Sequence, residues 1–341
     1  MRQRYQSEAN WILPGSKRIG VLMGGLGPER EVSLASGQAV LKALKNRGHE
    51  VVGIDVGSDL PEVLEREGIE VAFLALHGPY GEDGCIQGLL ELKGIPYTGS
   101  GVLASALAMD KLKAKELFRL YNIPTPPYYV LEEGELERLE EVHGSFGFPV
   151  FVKPRRGGSS IGAGKASDWK ELRERCEEAL MHDCAVLVER FIRGREITVA
   201  VLDGRALGAL EIVPRAAFYD RTCKYEAGRS EYHMPARLTP ARYKGVLLLA
   251  ERAHKALGCI GFTRVDLIVT EGENEYVLEV NTIPGMTPTS LLPKIAESAG
   301  YSFEALCEEI LARASLGNRL EPRKRHFDVA SGHSFELFAA E

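Results

Sequence analysis

The chain has 341 residues, and no apolar run in it approaches the about 18 positions that a membrane-spanning helix needs. No helical span is therefore expected. Its start lacks the apolar stretch of a secretory signal, so no export is expected either. Excess positive charge is also missing. The formal net charge is -6, which removes the electrostatic case for nucleic-acid binding. The six cysteines are scattered with no C-x-x-C pair, as expected of reduced thiols in a cytosolic enzyme rather than a disulfide framework. Each reads as a small buried hydrophobe. There is no internal repeat and no low-complexity segment. What remains is 45% hydrophobic and 26% charged residues, the balance of a soluble globular protein long enough for two or three domains.

The most informative stretch is Tyr276-Val277-Leu278-Glu279-Val280-Asn281-Thr282-Ile283-Pro284-Gly285. It reads as a β-strand running into a turn. Strand side chains alternate faces, so Glu279 and Asn281 point the same way. Upstream, Phe262–Val269 is a second apolar strand carrying Arg264 and Asp266, again two apart. A polar, Gly-containing turn joins the two, which predicts a hairpin. Pairing brings Asp266, Glu279 and Asn281 onto one face beside a guanidinium. Oxygen ligands with open positions suit Mg²⁺ or Mn²⁺ rather than Zn²⁺. The plainer reading is two solvated strand faces with ordinary charges.

The first third alternates strand and helix. Arg18–Gly24, Val51–Val56 and Val71–Leu76 are apolar strands, Glu31–Arg47 carries a helical apolar stripe, and short helices fill 59–67 and 85–93. This predicts an α/β layout with a mostly parallel sheet, whose ligands sit beyond the carboxyl ends of the strands. Two loops lie there, Gly24–Glu31 and His77–Gly84. The first resembles a dinucleotide loop, with Asp55 as its acidic partner, but it reads G-x-G-x-x-R and lacks the third Gly. Its glycines better serve to let Glu29 and the backbone approach a small ligand.

The middle third opens after a Pro-rich break at Tyr121–Pro127. A strand, Phe148–Pro154, runs into Arg155-Arg156-Gly157-Gly158-Ser159-Ser160-Ile161-Gly162. Free backbone N–H groups in such a loop can cradle phosphates. It is not a P-loop: Ser159 stands where Gly is required, and Ala166 follows Lys165 where Ser or Thr is required. Two more strands, Val186–Ile192 and Gly194–Val201, carry Glu189 and Glu196, candidates for adenine and ribose contacts.

These motifs together resemble the D-alanine–D-alanine ligase family of the ATP-grasp superfamily. They run in order as GGLGPEREVSLASG, ALHGPYGEDGCIQGLLELKGIPYTGSG, SALAMDK, VKPRRGGSSIG, VERFIRGREITVAV, KYEAG, GFTRVDLIV and LEVNTIPGMTPTSLLP, over about residues 17–317. The resemblance implies an α/β, three-domain ATP-grasp fold: a Rossmann-like N-terminal domain at 17–108 and two α+β subdomains at 109–196 and 197–317 that sandwich ATP, with tails at 1–16 and 318–341 expected to be disordered. It also implies a reaction. ATP phosphorylates the carboxylate of one D-alanine, and the amine of a second attacks the acyl phosphate, giving D-alanyl-D-alanine, ADP and phosphate.

Roles then carry over position by position. Asp266, Glu279 and Asn281 match the ligands of two Mg²⁺ (or Mn²⁺), with Glu279 bridging. Lys111 and Lys153 match lysines that hold the α- and β-phosphates, and Lys224 one that reaches the γ-phosphate. Glu189, Phe191, Ile192 and Glu196 match adenine and ribose contacts. Arg264 and the Gly285 N–H would stabilise the oxyanion of the tetrahedral intermediate. Glu29 would bind the first ammonium, with Val32 and His77 nearby, and Ser290 and Leu291 the second carboxylate. Ser290 also reads as a helix N-cap, which is itself a carboxylate site. Glu29, Ser159 and Tyr225 would form a triad closing a lid at about 215–235. The resemblance further implies a homodimer in the cytoplasm, with no nucleic-acid or membrane partner.

The sequence departs from the family pattern in three places. Arg221-Thr222-Cys223 stands where Tyr-Glu-Ala is usual, Arg155 and Gly157 stand in a loop that is usually Ser-Arg-Glu, and Thr-Pro-Thr-Ser replaces Thr-x-His-Ser after Met286. These touch the lid and the second site, not the chemistry. A ligase with another acceptor, such as D-lactate, is the first alternative, and Tyr225 favours the dipeptide. A non-catalytic nucleotide-binding regulator is the second; loss of Arg264, Asp266 or Glu279 would mark it, and all three are present.

Overall fold

The computed structural model describes residues 17–214, 230–272 and 274–317. The expected tails, together with Lys224 and Tyr225, lie outside the described residues. The N-terminal segment builds β1 (Ile19–Gly24), α1 (Arg30–Asn46), β2 (Val51–Val56), α2 (Leu60–Arg66), β3 (Val71–Leu74) and α3 (Cys85–Lys93). The strands are parallel in the order β2-β1-β3. Every residue of β1 and β3 is buried, which is why both strands read as continuous apolar runs rather than alternating ones. α1 packs tightly on β1 because Gly37 has no side chain: a Cβ there would sit 2.4 Å from the Met23 Cβ. This packing fixes the start of α1, and with it Glu29, beyond the carboxyl end of β1.

The middle of the chain forms α4 (Val102–Met109), α5 (Lys111–Leu120), β4 (Tyr128–Glu132), α6 (Leu139–His143), β5 (Val150–Pro154), β6 (Gly164–Ala166), α7 (Trp169–Leu180) and β7 (Ala185–Arg190). Asp110 caps α5 by accepting from the Lys113 N–H, and Asp168 caps α7 likewise from Glu171. The four strands make an antiparallel sheet, order β4-β7-β5-β6, whose core is Val150, Val152, Val186 and Val188 against Leu172 and Cys176 of α7.

The remainder forms β8 (Arg195–Leu202), β9 (Arg205–Pro214), β10 (Ser230–His233), α8 (Pro240–Ala256), β11 (Phe262–Val269), β12 (Glu275–Asn281), α9 (Leu291–Ser298) and α10 (Phe303–Leu311). Its sheet is antiparallel, in the order β10-β9-β8-β11-β12. Alternation along β11 divides its faces. Val265, Leu267 and Val269 are buried in the cluster with Val246, Leu249, Ala250 and Ala253 of α8, each contributing roughly 1.5–3 kcal/mol by burial. Arg264, Asp266 and Ile268 take the opposite, partly open face.

Two features differ from a simple partition of the chain. The expected boundary between 196 and 197 falls inside β8. Ala114 and Phe118 of α5 pack with the core of the five-stranded sheet, although α5 precedes the four-stranded one in sequence. The expected lid at 215–235 is described only from Ser230, where β10 pairs antiparallel with β9.

Candidate active site

The predicted hairpin forms with Asp266 opposite Glu279 and Arg264 opposite Asn281. All four side chains therefore share the open face. Arg264 grips Asp266 with two donors, Nε to Oδ1 at 3.0 Å and Nη2 to Oδ2 at 2.8 Å. Thr198 of β8 donates to Asp266 Oδ1 at 2.7 Å, and Asn281 Nδ2 donates to its Oδ2 at 3.2 Å. This arrangement orients one carboxylate with three partners and leaves the Asn281 Oδ1 and the Glu279 carboxylate as oxygen donors beside it. The set is hard and anionic, as Mg²⁺ or Mn²⁺ requires.

Two cavities meet at this face. The first lies between the four- and five-stranded sheets and is lined by Lys111, Lys153, Glu189, Phe191, Ile192 and Glu196, and by Asp266, Glu279 and Asn281. The second lies against the N-terminal sheet and is lined by Glu29, Val32, His77, Arg264, Gly285, Ser290 and Leu291. Ser159, Glu279 and Asn281 line both. Every described residue expected from the sequence thus faces one cavity or the other.

In the first cavity, Phe151 of β5 pairs with Glu189 of β7. Lys153, two residues on, shares their face. Its Nζ meets Glu189 Oε2 at 2.9 Å. Lys111 opens α5 and donates from Nζ to the Gly157 carbonyl at 2.5 Å. Asp110 accepts three bonds from Arg155, the shortest 2.6 Å, so the glycine-rich loop is pinned to the start of α5. Ser159 and Ser160 in that loop adopt φ of 51° and 58°. Such left-handed backbone is uncommon outside glycine and clusters at functional sites.

In the second cavity, Glu29 is buried, and its Oε1 accepts from the Ser159 hydroxyl. Its Oε2 has no hydrogen-bond partner among the described residues. A buried carboxylate oxygen without a donor is costly, and an ammonium would satisfy it. That bond is one leg of the expected triad. His77 is buried, with its Nε2 3.3 Å from the Ser36 hydroxyl, which in turn accepts from the Met286 N–H at 3.2 Å. Burial, and then the Arg264 charge, lower the His77 pKa to about 4, so the ring is neutral at pH 7. Ser290 is the N-cap of α9, and its hydroxyl accepts from the Thr287 N–H at 3.1 Å. A Cβ on Gly285 would lie 2.9 Å from the Ser290 Oγ, so the turn after β12 and the start of α9 are in close contact.

Three participants escaped the sequence reading. Glu82 lines both cavities, and its carboxylate accepts from the N–H of Gly78 at 2.9 Å and of Ile283 at 3.4 Å. Burial, and then the Glu29 charge, hold its carboxyl well above the usual carboxylate range. Ser36 links His77 to the turn after β12. Lys115 lies behind the first cavity and pairs with Glu189 Oε1 at 2.6 Å. Glu82 and Ser36 sit inside the quoted motifs, while Lys115 follows SALAMDK by four residues and looks like any amphipathic-helix lysine. The dinucleotide alternative loses its acidic partner: Asp55 is engaged by Arg30 at 2.5 and 2.6 Å.

Known proteins share the sequence and fold of this chain. The family described as D-ala D-ala ligase C-terminus matches residues 117–312, and that described as D-ala D-ala ligase N-terminus matches residues 59–100. A D-alanine–D-alanine ligase of Geobacter sulfurreducens is 56% identical over 300 residues, spanning 88% of this chain and 94% of that protein. The D-alanine–D-alanine ligase of Bacillus anthracis superposes with a TM-score of 0.78 at 38% identity, covering 87% of this chain and 97% of that one. Complexed with ATP, the same enzyme gives 0.75 at 36% identity with the same coverage. The VanG D-Ala:D-Ser ligase of Enterococcus faecalis gives 0.75 at 32% identity, over 86% of this chain and 98% of that one. Two matching family domains, relatives above half identity over most of both chains, and closely superposing structures lead to one assignment: the chain belongs to the D-alanine–D-alanine ligase family.

Proposed function

We propose that this chain joins two D-alanine molecules at the expense of ATP, and that it does so where its two cavities meet. The observation that carries this is the shared wall. Glu279 and Asn281 line the cavity that carries the lysines and the glycine-rich loop, and they equally line the one that carries Glu29, Arg264 and Ser290. A phosphoryl group resting on that wall is within reach of a carboxylate on the other side.

The first cavity suits ATP, with Phe191, Ile192, Glu189 and Glu196 at the base and sugar and Lys111 and Lys153 at the phosphates. Asp266, Glu279 and Asn281 would hold two Mg²⁺ or Mn²⁺ ions, which would supply charge neutralisation on the transferred phosphate. On the other side, the unsatisfied Glu29 Oε2 would take the ammonium of the first D-alanine, beside Val32. Phosphorylation turns that amino acid's carboxylate into an electrophile, since phosphate is a far better leaving group than oxide. The amine of the second D-alanine then attacks the acyl carbon, and its own carboxylate rests on Ser290 and Leu291 at the N-terminus of α9. Charge developing on the former carbonyl oxygen is met by Arg264, held in place by Asp266, and by the Gly285 N–H. Collapse expels phosphate and leaves the peptide bond. His77, neutral at pH 7, orients rather than neutralises. Lys224 and Tyr225 would complete the γ-phosphate contact and the Glu29–Ser159 triad, excluding water from the acyl phosphate.

The product serves peptidoglycan precursor synthesis. The family likeness also supports a homodimer in the cytoplasm without nucleic-acid or membrane partners, which light scattering on the purified protein and cell fractionation would check. Function is tested by ADP release with Mg²⁺ and D-alanine, L-alanine, D-serine or D-lactate. D-alanine alone is expected to sustain turnover. No ADP release with D-alanine would overturn the proposal, and turnover only when D-lactate or D-serine is added would reassign the acceptor.

A further inference from the structure

In the wall of the nucleotide cavity lies a buried cluster whose inner member, Lys115, the reaction scheme leaves unused. Lys115 is fully buried, Glu189 is 3% exposed and Lys153 7%. Lys115 Nζ lies 2.6 Å from Glu189 Oε1, and Lys153 Nζ lies 2.9 Å from Glu189 Oε2. Lys115 also donates to the Thr125 hydroxyl and sits 5.4 Å from the centre of the Tyr128 ring. Its neighbours explain why a lysine is tolerated there: a close ion pair with Glu189, the Thr125 hydroxyl as acceptor and an aromatic face compensate for lost water. Lysine is rarely fully buried, and a bare aliphatic side chain would cost less. A role for the charge itself is therefore indicated.

Charge arithmetic gives that role. Lys153 lines the cavity and Lys115 does not. If Glu189 had only Lys153 to pair with, the two would cancel, and this patch of the wall would add no net charge to that of Lys111 where polyphosphate must bind. With Lys115 taking the other carboxylate oxygen, the trio carries one net positive charge, and the ammonium that faces the cavity is Lys153. Lys115 is four residues from Lys111, so one face of α5 supplies a phosphate contact in front and a counter-charge behind. Burial lowers the Lys115 pKa to about 8, with Glu189 opposing, so it stays charged at pH 7.

We infer that Lys115 is a positioning residue of the nucleotide site: by occupying one oxygen of Glu189, it leaves Lys153 able to hold the phosphates of ATP. This rests on the nucleotide reading of the first cavity. The test is calorimetric binding of Mg-ADP and of inorganic tripolyphosphate, which has no adenine, together with separate KM values for ATP and D-alanine. Lys115→Gln, which keeps a hydrogen-bonding side chain but no charge, is expected to weaken both ligands and raise KM for ATP by roughly tenfold, with KM for D-alanine unchanged. Lys115→Gln/Glu189→Gln restores the net charge and is expected to recover tripolyphosphate binding. Glu189→Gln alone, which needs no change at Lys115, is expected to bind tripolyphosphate more tightly than the wild type.

Wild-type affinity in Lys115→Gln overturns the inference. So does weaker tripolyphosphate binding in Glu189→Gln, or failure of the double variant to recover it. If the wild type itself binds no Mg-ADP, the nucleotide reading of the cavity has failed instead, and the two failures are told apart by that control.

Discussion

Replacing Gly78 with alanine tests the placement of Glu29 more directly than replacing Glu29 itself. Gly78 follows His77 in the loop after β3 and has φ of +70°. A Cβ built there lies 2.4 Å from Glu29 Oε2 and 3.4 Å from its Cδ. That is about 1 Å short of an ordinary carbon–oxygen contact. The atom in the way is the tip of a side chain, so the carboxylate moves rather than the backbone. Moving it breaks or bends the bond from Ser159, a charge-assisted contact of about 1.5–3 kcal/mol. The left-handed backbone adds about 1–2 kcal/mol of strain for a residue with a Cβ. The fold therefore survives with a lower melting temperature, while the ammonium site is displaced. A misplacement near 1 Å at a reacting group costs about 100-fold. We expect kcat/KM for D-alanine to fall by about that factor in the ADP-release assay, with KM for ATP little changed. Gly158→Ala supplies the control for strain. Its Cβ would meet the same carboxylate at 2.9 and 3.1 Å, and its φ is not positive. It should lower activity by a smaller factor and leave the melting temperature near wild type. Wild-type kcat/KM in Gly78→Ala would refute the assignment of Glu29 to substrate.

Two further outcomes are expected. Glu279→Gln should cut turnover by about 100-fold or more and weaken Mn²⁺ binding in a paramagnetic titration, with the metal-free melting temperature unchanged; wild-type rates would remove Glu279 from the metal set. His77 has a folded pKa of about 4 against an ordinary 6.5, so the unfolded chain takes up its proton first. Its contribution is full above pH 6.5 and is lost as pH falls toward 4, by at most about 3 kcal/mol. Urea unfolding of His77→Gln should show a flatter acid limb over that window, and an identical limb would mean His77 is not the buried group responsible.

The residues to which the proposed chemistry is assigned were legible because they break the pattern of their own segment. A carboxylate and an amide on an apolar strand, or glycines after a buried strand, are anomalies visible without a structure. Period-two alternation then places Arg264 with Asp266, and Glu279 with Asn281, on one face of each strand, and the hairpin register joins the two pairs. The supporting residues were not legible, because their partners are remote. Lys115 takes its meaning from Glu189 in β7, and Glu82 from the Ile283 N–H two hundred residues on. Nothing in its own segment marks Lys115, and the motif around Glu82 does not say what it contacts. The same limit applies to architecture. Nothing local in the sequence marks that the apolar face of α5 covers the five-stranded sheet while its polar end holds the loop after β5.

That helix has a consequence for how the chain can vary in length. Within its ten residues, α5 presents the Lys111 ammonium, the Lys115 ammonium and the apolar Ala114 and Phe118, each toward a different neighbour, and the Asp110 before it clasps Arg155. Each residue of an α-helix advances about 100° around the axis. One residue inserted or deleted between Lys111 and Phe118 would turn half of these groups away from their partners while leaving the other half in place. The helix thus acts as a fixed ruler between the two sheets. Substitutions on its exposed side are free, but its phase is not, and changes of length in this region belong in the connections on either side.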